Sequence, residues 1–185
     1  MRAVRFSLDD AIAAADGHFN CGPAALCAVA DLRPNEALLH LGGFDRKHYV
    51  NPTMMRDALG SLKIPFRQVH KDNGTSGWTD DGIPGVGCVG EPTYPDFGLV
   101  RIQWGGPWTK PGVPIAARYR HTHWIAVEGE MRFDVNAMCV GGWIPLAEWE
   151  TQLVPWLLKE CEPKASGGWW PTHCWQIEPD PERRA

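Results

Sequence analysis

Residues 21–31 of the chain read CGPAALCAVAD, a run of small and apolar side chains without a polar face. Asn20 stands before this run as a candidate N-cap, and Pro23 falls in the first turn, where the missing N–H of proline costs nothing. The pattern therefore predicts an α-helix. Because the helix is apolar on all sides, we expect it to be buried.

The polar and apolar pattern predicts further helices on the C-terminal side of this run. Residues 35–41 (NEALLHL) end at a Gly-Gly pair and predict a short second helix. The Asn-Pro pair at residues 51–52 provides a cap and a first helical position, so a third helix is predicted over residues 53–63. An amphipathic helix is predicted over residues 145–159, with Pro155 kinking or ending its regular part.

Alternating polar and apolar residues, mostly in the second half of the chain, predict strands. These strands cover residues 66–70, 99–104, 123–129, 131–135 and 172–178. Gly129 and Glu130 suit a tight turn that joins two of them into a hairpin. Because helices come first and strands come later, we expect an α+β fold with helices packed on an antiparallel sheet.

The chain has 185 residues, enough for one hydrophobic core and too few for two domains of ordinary size. We therefore expect a single domain over residues 1–185, with residues 179–185 as a frayed tail. Residues 71–98 are rich in Gly, Pro, Asp and Thr and predict a long loop. A loop of this length in a small domain is usually either functional or disordered.

Composition and charge argue against several function classes. Lys and Arg number 18 against 22 Asp and Glu, and this net charge of −4 does not suit a nucleic-acid binder that depends on a basic surface. No run of about 18 apolar residues predicts a membrane span, and Asp9 and Asp10 lie where a signal peptide needs an apolar core. The sequence thus predicts a cytoplasmic protein with free thiols, while its six cysteines leave disulfides open.

Cys21 is the thiol with the strongest case for chemistry. It lies at the predicted start of a helix, where unpaired N–H groups and the helix dipole favour an anion and lower the pKa of a thiol. The same N–H groups can stabilise an oxyanion that forms on a bound carbonyl group. A purely structural cysteine is the alternative, because buried cysteines are common in protein cores.

His123 and Asp134 lie on the two strands of the predicted hairpin. If Gly129 and Glu130 form the turn, Asp134 lies opposite Ile125 and diagonal to His123. This arrangement brings a candidate base within reach of a carboxylate that can orient it. The structural alternatives are a polar residue at a strand start and an acidic residue at a sheet edge.

Two short motifs carry a resemblance to a known family. NCGPAAL (residues 20–26) resembles the nucleophile motif of the papain-like cysteine peptidases, especially the branch of the bacteriocin-processing C39 peptidases. HWIAVEG (residues 123–129) and FDVNA (residues 133–137) resemble the His strand and the acidic strand of that branch. Residues 51–66 resemble the helix that lies between the nucleophile motif and the His strand. The order of Cys, His and then Asp or Asn also matches, and the resemblance covers roughly residues 15–140.

The resemblance implies a papain-like fold, in which a helix that begins at the nucleophile packs on a C-terminal antiparallel sheet, and it implies a cysteine hydrolase. Cys21 would be the nucleophile, His123 the general base and acid, and Asp134 the residue that orients His123, with Asn136 as its substitute. The reaction would cleave or transfer an acyl group at a peptide, isopeptide or other amide bond of a protein or peptide substrate. It would need a reduced thiol and no cofactor.

The sequence departs from the family at one position. The family places a Gln five or six residues before the nucleophile, where its amide completes the oxyanion hole, but Asp16 and Ala15 occupy these positions. Losing one oxyanion donor typically costs about 100- to 1,000-fold in rate. Three explanations stay open: Asn20 or His18 supplies the donor, Asp16 is protonated, or the chain is a weakened or inactive relative that acts as a protein-binding module or effector.

Ten tryptophans are many for a chain of this length. Trp149 and Trp156 are seven residues apart on the predicted helix and indicate a packing stripe in the core. Four others lie beside Gly and Pro residues in predicted loops and are candidates for substrate binding. These four are Trp104, Trp108, Trp169 and Trp170.

His121 and His123 flank Thr122, so a strand would place both imidazoles on one face. Two histidines at this spacing form only a weak zinc motif, because no third ligand accompanies them. The sequence therefore predicts no metal site.

Overall fold

The computed structural model describes residues 8–71, 93–110, 112–114, 117, 121–166 and 168–178. Most of the predicted loop at residues 71–98 and the whole predicted tail at residues 179–185 lie outside the described residues. Helices come first in the chain: α1 (Leu8–Ala15), α2 (Cys21–Ala30), α3 (Pro34–His40), α4 (Phe44–Lys47) and α5 (Pro52–Ser61). Nearer the C-terminus, α6 (Leu146–Glu148) runs through a π-helical turn (Trp149–Leu153) into α7 (Val154–Glu160).

Six strands form one antiparallel sheet. They are β1 (Phe66–Lys71), β2 (Phe97–Trp104), β3 (Thr122–Glu128), β4 (Met131–Phe133), β5 (Trp143–Pro145) and β6 (Trp169–Ile177). Their order across the sheet is β1-β6-β2-β3-β4-β5, and each strand is antiparallel to its neighbours. The predicted α+β class is confirmed. Within the described part of the chain, no helix has the length and apolar character needed to cross a membrane.

Local capping explains where the predicted helices begin and end. Asn20 and Asn51 cap α2 and α5 with their side-chain oxygens, which accept the N–H groups of Gly22 and Met54 at 3.2 and 2.9 Å. α2 ends where Asp31 adopts the left-handed conformation at a φ of 55°. The short-range signals read from the sequence are therefore the ones that set these boundaries.

Three short elements carry little sequence signal and are not predicted: α1, α4 and β5. The four residues of α4 lie between Gly43 and His48, which both adopt left-handed conformations. β5 has three residues and exists through its pairing with β4, in which Trp143 lies opposite Phe133. Elements of this length depend on tertiary contacts more than on their own periodicity.

The sheet carries apolar side chains on both faces, because successive residues of a strand point to opposite sides. One face of the sheet packs against α2, in which every residue after Cys21 is buried. The side chains on this face include Leu99, Trp124, Ala126 and Trp175. The other face packs against the C-terminal helical segment, and its side chains include Val100, Ile102, Ile125 and Val127. The end of β3 thus lies between two packed layers.

Trp149 is completely buried, whereas Trp156 is 48% exposed, so the predicted packing stripe is wrong for Trp156. The physical reason is the π-helical turn at Trp149–Leu153, whose wider hydrogen-bonded loop rotates the following residues away from their α-helical positions. Pro155 lies two residues after the end of this turn and lacks the N–H that a regular α-helix would require there. The disruption predicted near Pro155 therefore takes the form of a π-helical turn.

Gly22 allows α2 to approach the segment that follows α4. A Cβ atom at Gly22 would lie 2.4 Å from Cγ2 of Val50, which is closer than two carbon atoms can pack. The backbone carbonyl of Val50 accepts the indole N–H of Trp124 at 2.8 Å, so this segment is also tied to β3. The contact between Gly22 and Val50 therefore helps to set the distance between the first turn of α2 and the sheet.

We expect Gly22→Ala to lower the free energy of unfolding by about 1–3 kcal/mol, because the added methyl group overlaps Val50. Urea unfolding of the purified variant measures this loss. Gly60→Ala is the matched control, since Gly60 also lies in a helix and its added Cβ would meet nothing within 4 Å. The control should be neutral or stabilising by up to about 1 kcal/mol, and equal losses in the two variants would contradict the tight contact.

Candidate active site

The structure places Cys21 at the first residue of α2. Its thiol is free and half-buried. The side chain of Asn20 fixes the backbone on the N-terminal side of Cys21. Its Oδ1 accepts the N–H of Gly22, and its Nδ2 donates to the carbonyl of His48 at 2.7 Å. The first N–H groups of a helix have no intrahelical acceptors, so they can stabilise negative charge beside the sulfur.

The β3–β4 hairpin brings His123 and Asp134 together. Its register pairs Glu128 with Met131, which confirms the predicted two-residue turn. β4 ends at Phe133, so Asp134 leaves the strand and caps a 3₁₀ segment that follows. The two side chains meet with 2.8 Å between Nε2 of His123 and Oδ2 of Asp134.

Asp134 is completely buried, and four hydrogen bonds surround its carboxylate. Oδ2 accepts from His123 and also from the indole Nε1 of Trp149 at 2.9 Å. Oδ1 accepts the backbone N–H and the side-chain amide of Asn136 at 3.0 and 2.9 Å. Asp134 is thus the residue that the structure sets against the imidazole, and Asn136 supports Asp134.

Trp149 is a member of this cluster that sequence reasoning missed. The seven-residue spacing to Trp156 indicates only a core position, and burial of Trp149 agrees with that. A buried indole N–H usually finds a hydrogen-bond acceptor, which is the one general signal that was available. The identity of the acceptor depends on how the π-helical turn lies against the end of β4, and local sequence patterns do not encode this.

Cys21 and His123 share a hydrogen bond, and the sulfur also accepts the backbone N–H of Trp124. β4 pairs with β3 only from Ala126 onward, so this end of β3 leaves an edge that the sulfur occupies. Because Nε2 of His123 is bonded to Asp134, Nδ1 is the ring nitrogen that remains for Cys21. The hydrogen-bonded chain therefore runs from Cys21 through both nitrogens of His123 to Asp134.

The three groups shift one another's pKa values toward a charged state. Burial opposes ionisation of Cys21, but the positive charge and hydrogen bond of His123 outweigh it and lower the pKa of the thiol. Burial would lower the pKa of His123, but the negative charges of Asp134 and Cys21 raise it well above its ordinary value. Burial also favours protonated Asp134, yet the charge and hydrogen bond of His123 hold the pKa of this carboxyl below its ordinary value. The arrangement favours a thiolate beside an imidazolium.

The predicted oxyanion donors are not joined to this chain of hydrogen bonds. Asp16 and His18 are exposed, and within the described residues no hydrogen bond links either side chain to Cys21 or His123. The side-chain amide of Asn20 donates a hydrogen bond to the carbonyl of His48. Gly22 and Ala24 already donate their N–H groups to Asn20, and Pro23 has none. Within the described residues, the backbone N–H of Cys21 is therefore the oxyanion donor that remains in the first turn of α2.

Of the four tryptophans predicted to lie in loops, Trp169 and Trp170 begin strand β6, so the loop prediction is wrong for them. Trp104 ends β2, which confirms the predicted strand over residues 99–104. The pairing of β2 with β6 extends as far as Trp104 and Trp169, although nearby Gly and Pro residues suggest irregular structure. Trp108 lies in a 3₁₀ turn at Pro107–Thr109.

Two of these tryptophans pack against residues of the site. The ring of Trp104 stacks beside His123 with 6.2 Å between ring centroids, and Trp169 meets Trp149 edge-on at 5.1 Å. Trp104, Trp108 and Trp170 are buried. Their burial suits positioning of the site residues better than direct contact with a substrate.

Comparison with protein-family models, with curated proteins and with solved structures finds no match. Within the described residues, no group of three or more His, Cys, Asp and Glu side chains is arranged to hold a metal ion.

Trp149→Phe tests the indole–carboxylate bond. We expect the buried carboxylate of Asp134 to lose one donor, so that the pKa of Asp134 rises and the free energy of unfolding falls by about 1–3 kcal/mol more than in a control. Trp143→Phe is the matched control, because Trp143 is also buried and its Nε1 has no hydrogen-bond partner within the described residues. Urea unfolding measures both variants, and equal losses would contradict a contribution from the bond.

His123→Ala tests the electrostatics of the thiol. In the intact protein, iodoacetamide should alkylate Cys21 at a pH well below the ordinary range of thiols, because the pKa of Cys21 is lowered. The variant loses the neighbouring cation, so the pKa of Cys21 rises and alkylation near pH 6 slows by about tenfold for each pKa unit. Mass spectrometry of labelled peptides gives the rate at each pH.

Cys161 is the internal control in the same samples. It is an exposed thiol whose pKa is raised, mainly by burial of part of the side chain and by nearby carboxylates, so it should react only at higher pH. The electrostatic argument fails if Cys161 reacts before Cys21 near pH 6. It also fails if His123→Ala leaves the pH profile of Cys21 unchanged.

Proposed function

We propose that this protein is a cysteine hydrolase that cleaves or transfers an acyl group at a peptide, isopeptide or other amide bond. One observation carries the proposal: Cys21, His123 and Asp134 come from three separate elements and form one continuous hydrogen-bonded chain. Nucleophilic catalysis by a thiol requires a thiolate, a general base and acid, and a group that orients this base.

The arrangement of elements supports a papain-like fold for this proposal. The nucleophile begins a buried helix that packs on an antiparallel sheet, and the base lies at the start of β3. The acidic residue follows directly after the next strand. This order along the chain is the one implied by the resemblance of NCGPAAL and HWIAVEG to that family.

The proposed reaction proceeds in two steps. The thiolate of Cys21 attacks the carbonyl carbon of the scissile amide, and the resulting oxyanion lies near the backbone N–H of Cys21 at the start of α2. His123 donates its Nδ1 proton to the leaving amine as the C–N bond breaks, which leaves a thioester on Cys21. A water molecule then attacks the thioester while His123 takes a proton from it. The carboxylic acid and the free thiolate are the products of that second step, and an amine in place of water gives acyl transfer.

A second candidate function is a papain-like module that binds proteins without turnover. It is favoured by one observation, namely that Asp16 stands where the resemblance expects an oxyanion-hole Gln and is exposed in the structure. The loss of one oxyanion-hole donor lowers the rate by about 100- to 1,000-fold. The protein would then hydrolyse its substrate slowly or have no hydrolase activity. Such a module would still bind its partner at the surface near Cys21.

Cleavage of a peptide library, followed by mass spectrometry of the products, tests the proposed hydrolase. We expect the intact protein to cut or transfer acyl groups at particular sites, and Cys21→Ala to abolish these products. Cys161→Ala removes an exposed free thiol outside the hydrogen-bonded chain and should retain them.

Products that persist in Cys21→Ala would overturn the assignment of the nucleophile. If the intact protein forms a stable complex with a peptide but gives no products, the binding module is the better description. Both outcomes are read from the same library, because uncut peptides that are retained on immobilised protein can be eluted and identified.

A further inference from the structure

A second histidine–carboxylate pair lies beside the proposed site. Nδ1 of His121 and Oε2 of Glu162 are 2.8 Å apart, and the two side chains are 28% and 20% exposed. His121 lies directly before β3 and two residues from His123, so the two Cα atoms are at most about 7 Å apart. The pair is therefore close enough to the proposed base to meet a substrate residue near the scissile bond.

Aromatic packing fixes the ring of His121. It stacks on the indole of Trp108 with 3.5 Å between ring centroids and an angle of 11° between the planes. Trp108 in turn donates its Nε1 hydrogen to the carbonyl of Trp104 at 2.8 Å, and Trp104 stacks beside His123. The backbone N–H of Trp104 donates to the carbonyl of His121 at 3.0 Å, which closes the cluster. The position of His121 is thereby coupled to that of the proposed base.

Only one of the two ring nitrogens of His121 has a hydrogen-bond partner among the described residues. An ionised carboxylate only accepts hydrogen bonds, so the bond to Glu162 places a hydrogen on Nδ1 of His121. Nε2 of His121 has no hydrogen-bond partner within the described residues, and the side chain of His121 is 28% exposed. In the neutral form of the ring, a hydrogen on Nδ1 leaves the Nε2 lone pair as an acceptor.

We propose that Nε2 of His121 binds a nitrogen-borne hydrogen donor of the substrate near the scissile bond, and that a cationic side chain such as that of lysine fits best. The proposal rests on the proposed hydrolase function and names a recognition group for its substrate. The negative charge of Glu162 behind the ring favours a positive charge in front of it. The support from Glu162 and Trp108 is what a binding group needs in order to be held ready before the substrate arrives.

Two alkylating probes test this proposal on the intact protein. N-acetyl-lysyl chloromethyl ketone and N-acetyl-norleucyl chloromethyl ketone have side chains of similar length, and only the first carries an ammonium group. In both cases the thiolate of Cys21 forms a bond to the methylene carbon and chloride leaves. We expect Cys21 to react at least about tenfold faster with the lysyl probe, which corresponds to about 1.4 kcal/mol of selective recognition.

Variants of the pair assign the selectivity. His121→Phe keeps a ring that can stack on Trp108 but has no nitrogen, so the ratio of the two rates should fall close to one. Glu162→Gln keeps the imidazole and removes the charge behind it, so the ratio should fall part of the way. His40→Phe is the matched control, because His40 also uses Nδ1 in a hydrogen bond, with Ser61 at 2.6 Å, and lies on α3. The control should keep the selectivity of the intact protein.

Iodoacetamide distinguishes a failure of the proposed role of His121 from a failure of the proposed hydrolase function. It measures the reactivity of Cys21 without recognition of a side chain. Its rate at Cys21 should be the same within about twofold in the intact protein and in His40→Phe, since a change of that size is only about 0.4 kcal/mol. In His121→Phe and Glu162→Gln it measures any change in the thiol itself, which cancels in the ratio of the two probe rates. A rate ratio near one in the intact protein, or a ratio that neither His121→Phe nor Glu162→Gln lowers, overturns the role of His121. Failure of iodoacetamide to prefer Cys21 in the intact protein overturns the hydrolase itself.

Discussion

The buried charge of Asp134 is the constraint on which the rest of the site depends. An uncompensated charge inside a protein costs several kcal/mol, so every oxygen lone pair of this carboxylate that lacks water needs a donor. The donors come from β3 through His123, from the π-helical turn through Trp149, and from the 3₁₀ segment through Asn136. Displacing any one of these elements leaves part of the charge unpaired, so one carboxylate holds three elements in register.

The same charge explains why a half-buried thiol can ionise. Asp134 stabilises protonated His123, and protonated His123 in turn lowers the pKa of Cys21. The sulfur reaches this cation because the short strand β4 leaves the end of β3 uncovered, where the N–H of Trp124 is also available. The length of β4 is therefore a chemical property of the site, since a longer β4 would occupy the edge that the sulfur uses.

The two histidine–carboxylate pairs differ in exposure, and this difference separates their proposed tasks. The pair of His123 and Asp134 is buried, so its partners are fully committed to one another and to Cys21. The pair of His121 and Glu162 is partly open to solvent and leaves one ring nitrogen without a partner among the described residues. A buried pair suits proton transfer in a low-dielectric site, whereas an open pair suits recognition of a substrate.

Local patterns in the sequence determined the caps of α2 and α5, the turn of the β3–β4 hairpin and, through it, the approach of Asp134 to His123, because each depends on residues close in the chain. Only the tertiary structure decided that Trp149 bonds to Asp134, that Trp156 is exposed, and that Trp169 lies in a strand that pairs with Trp104. Those outcomes depend on a π-helical turn and on the pairing of β2 with β6, which bring together residues far apart in the chain. Local periodicity carries no information about such contacts, and burial of the Asp134 charge selects among them.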